Sequence, residues 1–165
     1  MNTQASTPSN PIAFRNPVRL TPVPTRGAAL LQADDVFQFR RMEIAFRDGG
    51  GMASADEVVS RLARHTDQPI SRLARWIVEH EVLNIQWRSQ ILLPWFQFDL
   101  STMDLRPAVN SVLGELYPAL SDWEICAWFA EPNAWLGGAL PVDIIDRDAR
   151  SVLDGARAAR YLLRA

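Results

Sequence analysis

The amino-acid sequence predicts a mainly α-helical protein that also contains one short β-hairpin. Three observations predict this fold class. Apolar residues recur at helical spacing in several segments. Two Ser-x-x-Glu capping boxes, which begin at Ser54 and Ser121, mark the starts of helices. Residues 84–98 are instead rich in the aromatic and β-branched side chains that favour strands.

The composition bounds the size and the environment of the protein. The chain has 165 residues, 48% of them hydrophobic, which suits one domain or two small units on one core. No run approaches the roughly 18 apolar residues that span a bilayer, and the N-terminus lacks a secretory signal. We therefore expect a cytoplasmic protein with no membrane contact.

Arg outnumbers acids 11 to 9 in residues 1–90, and acids outnumber Arg 10 to 6 in residues 91–165. A nucleic-acid contact therefore suits the first half better.

The cysteine and histidine content argues against a metal site. The chain has one Cys, Cys126, and two His, His65 and His80. A structural zinc site usually takes four such ligands. Cys126 lies in an apolar stretch, which predicts a buried structural thiol; a Cys–His nucleophile pair stays open as the alternative. We expect no metal and no cofactor.

The N-terminal part is predicted as an arm followed by a helix. Residues 1–28 are rich in Pro, Ser, Thr and Asn, which is typical of a disordered arm. Residues 29–48 are predicted as a helix, and three glycines, residues 49–51, end it. Its apolar faces are formed by Leu30, Leu31, Phe37, Met42, Ile44 and Phe46.

Two further helices and the hairpin follow. The first helix runs from Ser54 to about His65, and the second runs from about Ile70 to His80. In the second helix Ile70, Leu73, Ala74 and Ile77 are expected to share the apolar face. Residues 84–98 complete the series as a hairpin, whose second strand is expected at an edge or bent because it contains a proline.

This order of elements is that of a winged helix-turn-helix-like unit, here residues 29–98. The segment resembles excisionase-like and MerR-like DNA-binding modules. The resemblance implies that Ser71, Arg72 and Arg75 face the major groove, with Gln86 and Arg88 on the wing. The same residues also fit a simple solvent-exposed face, and that alternative remains open.

The last third of the chain predicts a second helical domain, residues 99–165, with helices near 105–117, 122–131 and 147–163. The helix 122–131 is apolar almost all round, so it must be buried in its own core or against a partner. Val152, Ala156, Ala159 and Leu163 lie on one face of the last helix.

A spaced set of residues in this part carries a family resemblance. The positions are Trp123, Trp128, Phe129, Pro132, Asn133, Leu136, Gly138, Pro141 and Asp143. Over roughly residues 105–163 the chain resembles the toxin-binding domain of Xre/MbcA/ParS-type antitoxins. The resemblance implies a non-enzymatic protein that binds and neutralises a cognate toxin, such as an NAD-consuming toxin of the RES type, and that represses its own operon as a homodimer.

The role of each position in this set has two interpretations. The motif residues could contact the toxin, and Trp135 is a further candidate anchor because Trp is enriched in interface hot spots. The other interpretation is scaffold, with Asn133 as a cap, Gly138 in a restricted backbone conformation and Asp143 either as a cap or paired with Arg147. The alternative function is a DNA-binding regulator or adaptor whose C-terminal domain only dimerises.

Overall fold

The computed structural model describes residues 26–164, with side chains from residue 33 onward, so the predicted arm lies almost wholly outside the described residues. The described chain is mainly helical, as predicted. Its helices are α1 Arg26–Phe46, α2 Ala55–Leu62, α3 Pro69–Val78, α4 Pro107–Leu116, α5 Asp122–Ala130, α6 Pro141–Ile144 and α7 Ala149–Arg164. Its strands are β1 Met52–Ser54, β2 Ile85–Trp87 and β3 Gln90–Pro94. The helix α1 runs from Arg26 to Phe46, whereas the sequence predicted a helix at residues 29–48.

The three strands form one antiparallel sheet in the order β1-β3-β2. The predicted hairpin is β2 and β3, and β1 adds a strand that the sequence does not predict. Because β3 lies between the other two strands, an edge position for it is wrong. Pro94 is instead the last residue of β3, opposite Met52, where a missing N–H interrupts the ladder least.

Both predicted capping boxes are present. The hydroxyl of Ser54 accepts from the amide of Glu57, whose carboxylate accepts from the amide of Ser54 at 2.7 Å. Ser121 and Glu124 make the same reciprocal bonds at the start of α5. These local bonds satisfy amides that a helix start leaves without partners, which is why the sequence alone predicts them.

The buried faces of α1 and α3 differ from prediction. In α1 the buried face consists of Phe39, Met42 and Phe46, whereas Phe37 and Ile44 are 68% and 62% exposed. In α3 the buried residues are Leu73 and Trp76, whereas Ile70 and Ala74 are exposed. The reason is tertiary in both helices: each has apolar residues on more than one side, and the side that is buried is the one that meets the rest of the protein.

Two apolar clusters form the core. One joins α1 to α4, α5 and α7. The other joins β1, α2, α3 and β3. Trp95 and Phe96, neighbours in the short 3-10 turn Trp95–Gln97, enter different clusters and so tie them together. The division of the chain near residue 98 stays a prediction, and α1 packs mainly against α5 beyond it.

None of the helices within residues 26–164 is long and apolar enough to cross a membrane.

Candidate protein-binding surface

Most of the apolar residues of α5 pack in the protein's own core. Its buried residues are Ile125, Cys126, Ala127, Phe129 and Ala130. The ring of Phe129 is fully buried, with its centroid 4.9 Å from that of Phe96. Phe129 is therefore scaffold, and the apolar character of this helix needs no partner to explain most of it.

Trp123 fastens α5 to α1 and to the hairpin. Its indole N–H donates to the side-chain oxygen of Gln38, and its ring stacks on that of Trp87 with centroids 5.7 Å apart. The half-buried indole thus has its polar atom satisfied within the chain. These contacts give Trp123 a structural role in the free protein.

The loop after α5 is closed tightly around Asn133. The side-chain oxygen of Asn133 accepts from the amide of Trp135 at 2.9 Å, as expected for a cap. Its carbonyl accepts from the amide of Gly138 at 2.9 Å. Gly137 and Gly138 adopt φ of 65° and 86°, a region that residues with a Cβ rarely enter. The predicted roles of Asn133 and Gly138 are confirmed, and the loop holds its shape without a partner.

This closed loop holds Trp135 out of the core. The side chain is 67% exposed, in contrast to the buried Phe129 on the preceding helix. The base of Trp135 lies against Gly155 of α7, where an added Cβ would sit 3.6 Å from its Cβ. The same Cβ would sit 3.9 Å from Cζ2 of Trp128. Trp135 and Trp128 therefore both lie close to α7 at Gly155, at distances that an alanine there would also allow.

A groove of about 380 Å³ opens beside Trp135. Its lining residues come from the loop, from α6 and its end, and from the start of α7: Trp135, Leu136, Ile144, Arg147, Asp148 and Ser151. We call these six residues the Trp135 surface. Leu136 and Ile144 are half-buried, whereas Trp135, Arg147 and Asp148 are exposed.

The remaining motif residues lie at helix ends or take part in backbone hydrogen bonds. Pro132 is exposed just past the end of α5, and Pro141 is buried as the first residue of α6. Asp143 is exposed, and the guanidinium of Arg147 donates to its backbone carbonyl at 3.2 Å. The predicted pair of Arg147 with the carboxylate of Asp143 is therefore wrong, because Arg147 donates to the backbone carbonyl of that residue instead.

Asp148 fixes the polar edge of the Trp135 surface. Its carboxylate accepts from the hydroxyl of Ser151 at 2.5 Å and from the amide of Ser151 at 3.0 Å. These bonds, the hydroxyl contact first, lower the pKa of Asp148 below its ordinary value. The group is therefore an anion that also caps α7.

The predicted DNA-contacting residues divide into two groups. Ser71, Arg72 and Arg75 line one polar groove of about 480 Å³ beside the turn between α2 and α3. Arg88 lies at the turn of the hairpin and Gln86 on β2, both exposed and outside the lining of that groove.

Arg72 is already engaged within the chain. Its guanidinium lies 2.7 Å from the carboxylate of Asp104 and 4.7 Å from the centroid of the Trp76 ring. Arg75 makes only a 4.0 Å contact with Glu79. Of the two arginines on α3, Arg75 is therefore the more available to an external anion.

Cys126 is buried, as predicted. Burial raises the pKa of its thiol well above the ordinary value, and the charge of Asp122 acts in the same direction. A protonated, inaccessible thiol is a poor nucleophile. Within residues 26–164 the structure contains no group of three His, Cys, Asp or Glu side chains placed to hold a metal ion.

Comparison of the chain with known protein families, with curated proteins and with solved structures found no significant match. The function is therefore inferred from the motif and from the geometry of the described residues.

Four of the six residues of the Trp135 surface were missed from the sequence: Ile144, Arg147, Asp148 and Ser151. Gly155, which lies beneath Trp135, was also missed, although a glycine inside an amphipathic helix costs stability and is therefore a local signal. Ile144 and Arg147 carried no such signal, because only the folded chain brings them beside Trp135.

Proposed function

We propose that this protein is an antitoxin-like regulator that binds and neutralises a toxin protein through the Trp135 surface. The observation that carries the proposal is the exposure of Trp135 on a loop that is already rigid. Exposed Trp residues with a fixed backbone are frequent hot spots of protein interfaces, since little conformational entropy is lost when they bind. The groove beside Trp135 can take an apolar side chain of the partner.

The motif supports the same proposal, because several other motif residues have structural roles and Trp135 does not. The fold itself accounts for Phe129, Asn133, Gly138 and Pro141, which bury a ring, cap a turn or start a helix. Trp135 has no comparable role in the described chain. The toxin-binding resemblance and the exposure of Trp135 therefore favour the same surface.

The charge of this half of the chain suits a basic partner. Residues 99–165 carry ten acids and six arginines. An enzyme that consumes NAD must attract a dianionic pyrophosphate, so the mouth of its active site is expected to be basic. The net negative charge of residues 99–165 would attract such a mouth, and the Trp135 surface, which itself carries one arginine and one aspartate, would then block it sterically. This reasoning favours a toxin of the NAD-consuming class.

The test is a growth assay that separates the surface from the fold. A protein that co-purifies with the full chain is expressed alone and then together with wild-type chain, Trp135→Asp or Tyr161→Asp. Tyr161 is the control, as an aromatic residue 76% exposed near the end of α7. We expect growth arrest that wild type and Tyr161→Asp relieve and Trp135→Asp does not. Relief by all three, or the absence of arrest, would reject the proposal.

Operator binding is a second candidate activity of the same protein. The order α1-β1-α2-α3-β2-β3 and the sheet order β1-β3-β2 are compatible with the winged helix-turn-helix-like unit expected from the sequence, and this supports the candidate. Against strong binding, residues 54–98 carry five arginines and five acids, so the unit has no net positive charge.

The operator proposal is tested with DNA from upstream of the protein's own gene. We expect specific binding that weakens with salt and that Arg75→Ala and Arg88→Ala reduce about 5- to 100-fold. The matched control is Arg64→Ala, an exposed arginine that follows α2. Equal binding to unrelated DNA would leave the toxin-binding proposal standing alone.

A further inference from the structure

A groove where α1, α5 and α7 meet leaves one face of α5 only partly covered. Trp123 and Trp128 are half-buried on this face, and Leu163 of α7, which is 58% exposed, lies beside them. The groove has a volume of about 320 Å³ and is lined by Gln38, Leu120, Trp123, Glu124, Ala127, Trp128, Glu131 and Leu163. We call it the α5 groove. It shares no lining residue with the Trp135 surface.

The charged residues that line the α5 groove are both acidic. Glu124 is exposed, and the hydrogen bonds that its carboxylate makes within the described residues all use one oxygen, Oε2, toward Ser121. Glu131 is 43% exposed and lies 3.4 Å from the guanidinium of Arg41, an exposed pair that contributes little to stability. Two half-buried indoles beside two carboxylates favour an occupant that is both apolar and basic.

We propose that residues 11–20 of this same chain, which lie outside the described residues, occupy the α5 groove. The segment reads PIAFRNPVRL, in which apolar residues alternate with two arginines. Its apolar residues lie on the two indoles, and Arg15 and Arg19 pair with the two carboxylates. This intramolecular contact does not depend on the toxin-binding proposal.

The composition of the N-terminal part selects it as the occupant. Residues 1–25 contain two arginines and no acid, so their charge is complementary to the acidic lining of the groove. They also contain five prolines. Proline-rich segments dock in aromatic-lined grooves because they lose little conformational entropy on binding.

The connection to α1 allows the segment to reach the groove. The helix begins at Arg26, and Gln38, which lines the groove, is twelve residues further along, about 18 Å at the rise of an α-helix. The chain from Arg19 to Arg26 spans up to about 24 Å when it is extended. Because the segment is tethered, its effective concentration at the groove is on the order of millimolar, so weak contacts are sufficient.

The helices α1 and α5 run in the same direction along the groove. Gln38 accepts a hydrogen bond from Trp123 near the start of α5, and Arg41 pairs with Glu131 just after its end. The chain that precedes α1 therefore approaches the groove at the Trp123 end. A segment that turns back along the groove meets Glu124 first and Glu131 second.

The spacing of the charges fits this direction, with Arg19 at Glu124 and Arg15 at Glu131. The two acids are seven residues apart on helical backbone, which is about 10 Å. The two arginines are four residues apart, which is up to about 13 Å in an extended chain. Both pairs can therefore form at the same time.

The first experiment measures the initial rates of trypsin cleavage of the full chain after Arg15 and Arg19 by mass spectrometry. We expect both rates to be at least about fivefold lower than in a synthetic peptide of residues 8–25, because trypsin cleaves only the undocked segment. Leu163→Lys removes an apolar contact and adds a repelling charge, so it should raise both rates to those of the peptide.

The matched control is Tyr161→Lys, at a residue that is 76% exposed on the same helix and outside the lining of the groove. This variant should be cleaved as slowly as wild type. Circular dichroism confirms that each variant is folded. Equal rates in wild type and in the peptide, or equal protection in the two lysine variants, would overturn the proposal.

The second experiment tests the register and the identity of the occupant by exchanging charges. Arg15→Glu and Glu131→Arg each place like charges opposite each other, so cleavage after Arg19 should be at least about threefold faster in each variant than in wild type. The double variant restores an opposite-charge pair and should regain the protection. A mixture of the two single variants should not regain it, because segment and groove belong to one chain. No rescue in the double variant would overturn the register, and rescue in the mixture would show that the segment docks on a second copy instead.

Discussion

The side-chain amide of Gln97 pairs with both backbone groups of Leu83. Its oxygen accepts from the Leu83 amide at 2.7 Å, and its nitrogen donates to the Leu83 carbonyl at 2.8 Å and to that of Pro94 at 3.0 Å. Gln97 is only 1% exposed. The side chain of Gln97 thus makes the hydrogen bonds to buried backbone groups that a neighbouring strand would otherwise make. It also joins the chain after α3 to the turn after β3.

The first prediction concerns Gln97→Leu. The variant leaves the amide and the carbonyl of Leu83 buried without partners, so we expect the free energy of unfolding to fall by about 2–4 kcal/mol. Urea denaturation measures it. The control is Gln86→Leu, an exposed glutamine on β2, which should change stability by less than about 0.5 kcal/mol. Equal losses would show that the pairing with Leu83 contributes little.

The second prediction separates scaffold from surface within the motif. Phe129→Ala should lower the free energy of unfolding by about 3–5 kcal/mol, since it opens a cavity in the core. Trp135→Ala should lower it by less than about 1 kcal/mol, because most of the indole is in water. Thermal unfolding of both variants measures the difference. A large loss for Trp135→Ala would mean that its ring is structural.

The starts of α2 and α5 were predictable because each depends on two residues three apart in the chain, as in Ser54 and Glu57. The buried side of α1 was not, because apolar residues lie on both of its faces. The packing of α5 decides that Phe39 is inside and Phe37 outside. The strand β1 was missed because three residues are too few to show an alternating pattern, and it exists only by pairing with β3.

The candidate site was predictable in its centre and not in its lining. Trp135 and the cap at Asn133 followed from local sequence. The contact between Trp135 and Gly155 spans 20 residues of chain and depends on the packing of α7, which no local pattern records. The ion pair between Arg72 and Asp104 could not be predicted for the same reason, because the two residues are 32 positions apart in the chain.

The third prediction concerns Gly155. A methyl group there would meet both indoles at ordinary contact distances, so Gly155→Ala should keep partner binding. It should also raise the free energy of unfolding by about 0.5–1 kcal/mol through helix propensity. Gly155→Leu overfills the space and should weaken partner binding at least about tenfold by displacing Trp135. Isothermal titration with the captured partner measures both. Unchanged binding by the Leu variant would place the interface elsewhere.

The fourth prediction distinguishes the two arginines of α3. Arg72→Ala removes the ion pair with Asp104 and the contact with Trp76, so stability should fall by about 1 kcal/mol. Arg75→Ala should change stability by less than about 0.5 kcal/mol and act only on DNA binding. Chemical denaturation and fluorescence anisotropy measure the two effects. A stability loss that is larger for Arg75→Ala would reverse this assignment.

The last prediction concerns acid. Hydrogen bonds from the backbone and then the hydroxyl of Ser121 lower the pKa of Glu124, and those from Ser151 lower that of Asp148. A carboxyl whose pKa is lower in the folded state stabilises the fold above its ordinary value, here 4.5 for Glu and 3.8 for Asp. That contribution is lost as the pH falls through the lower, folded-state pKa. Asp148→Asn should therefore show a smaller loss of stability than wild type between about pH 5 and about pH 2. Denaturation in a pH series measures it, with the exposed Asp143→Asn as control, and equal losses in wild type and Asp148→Asn would show that the charge of Asp148 contributes little to stability.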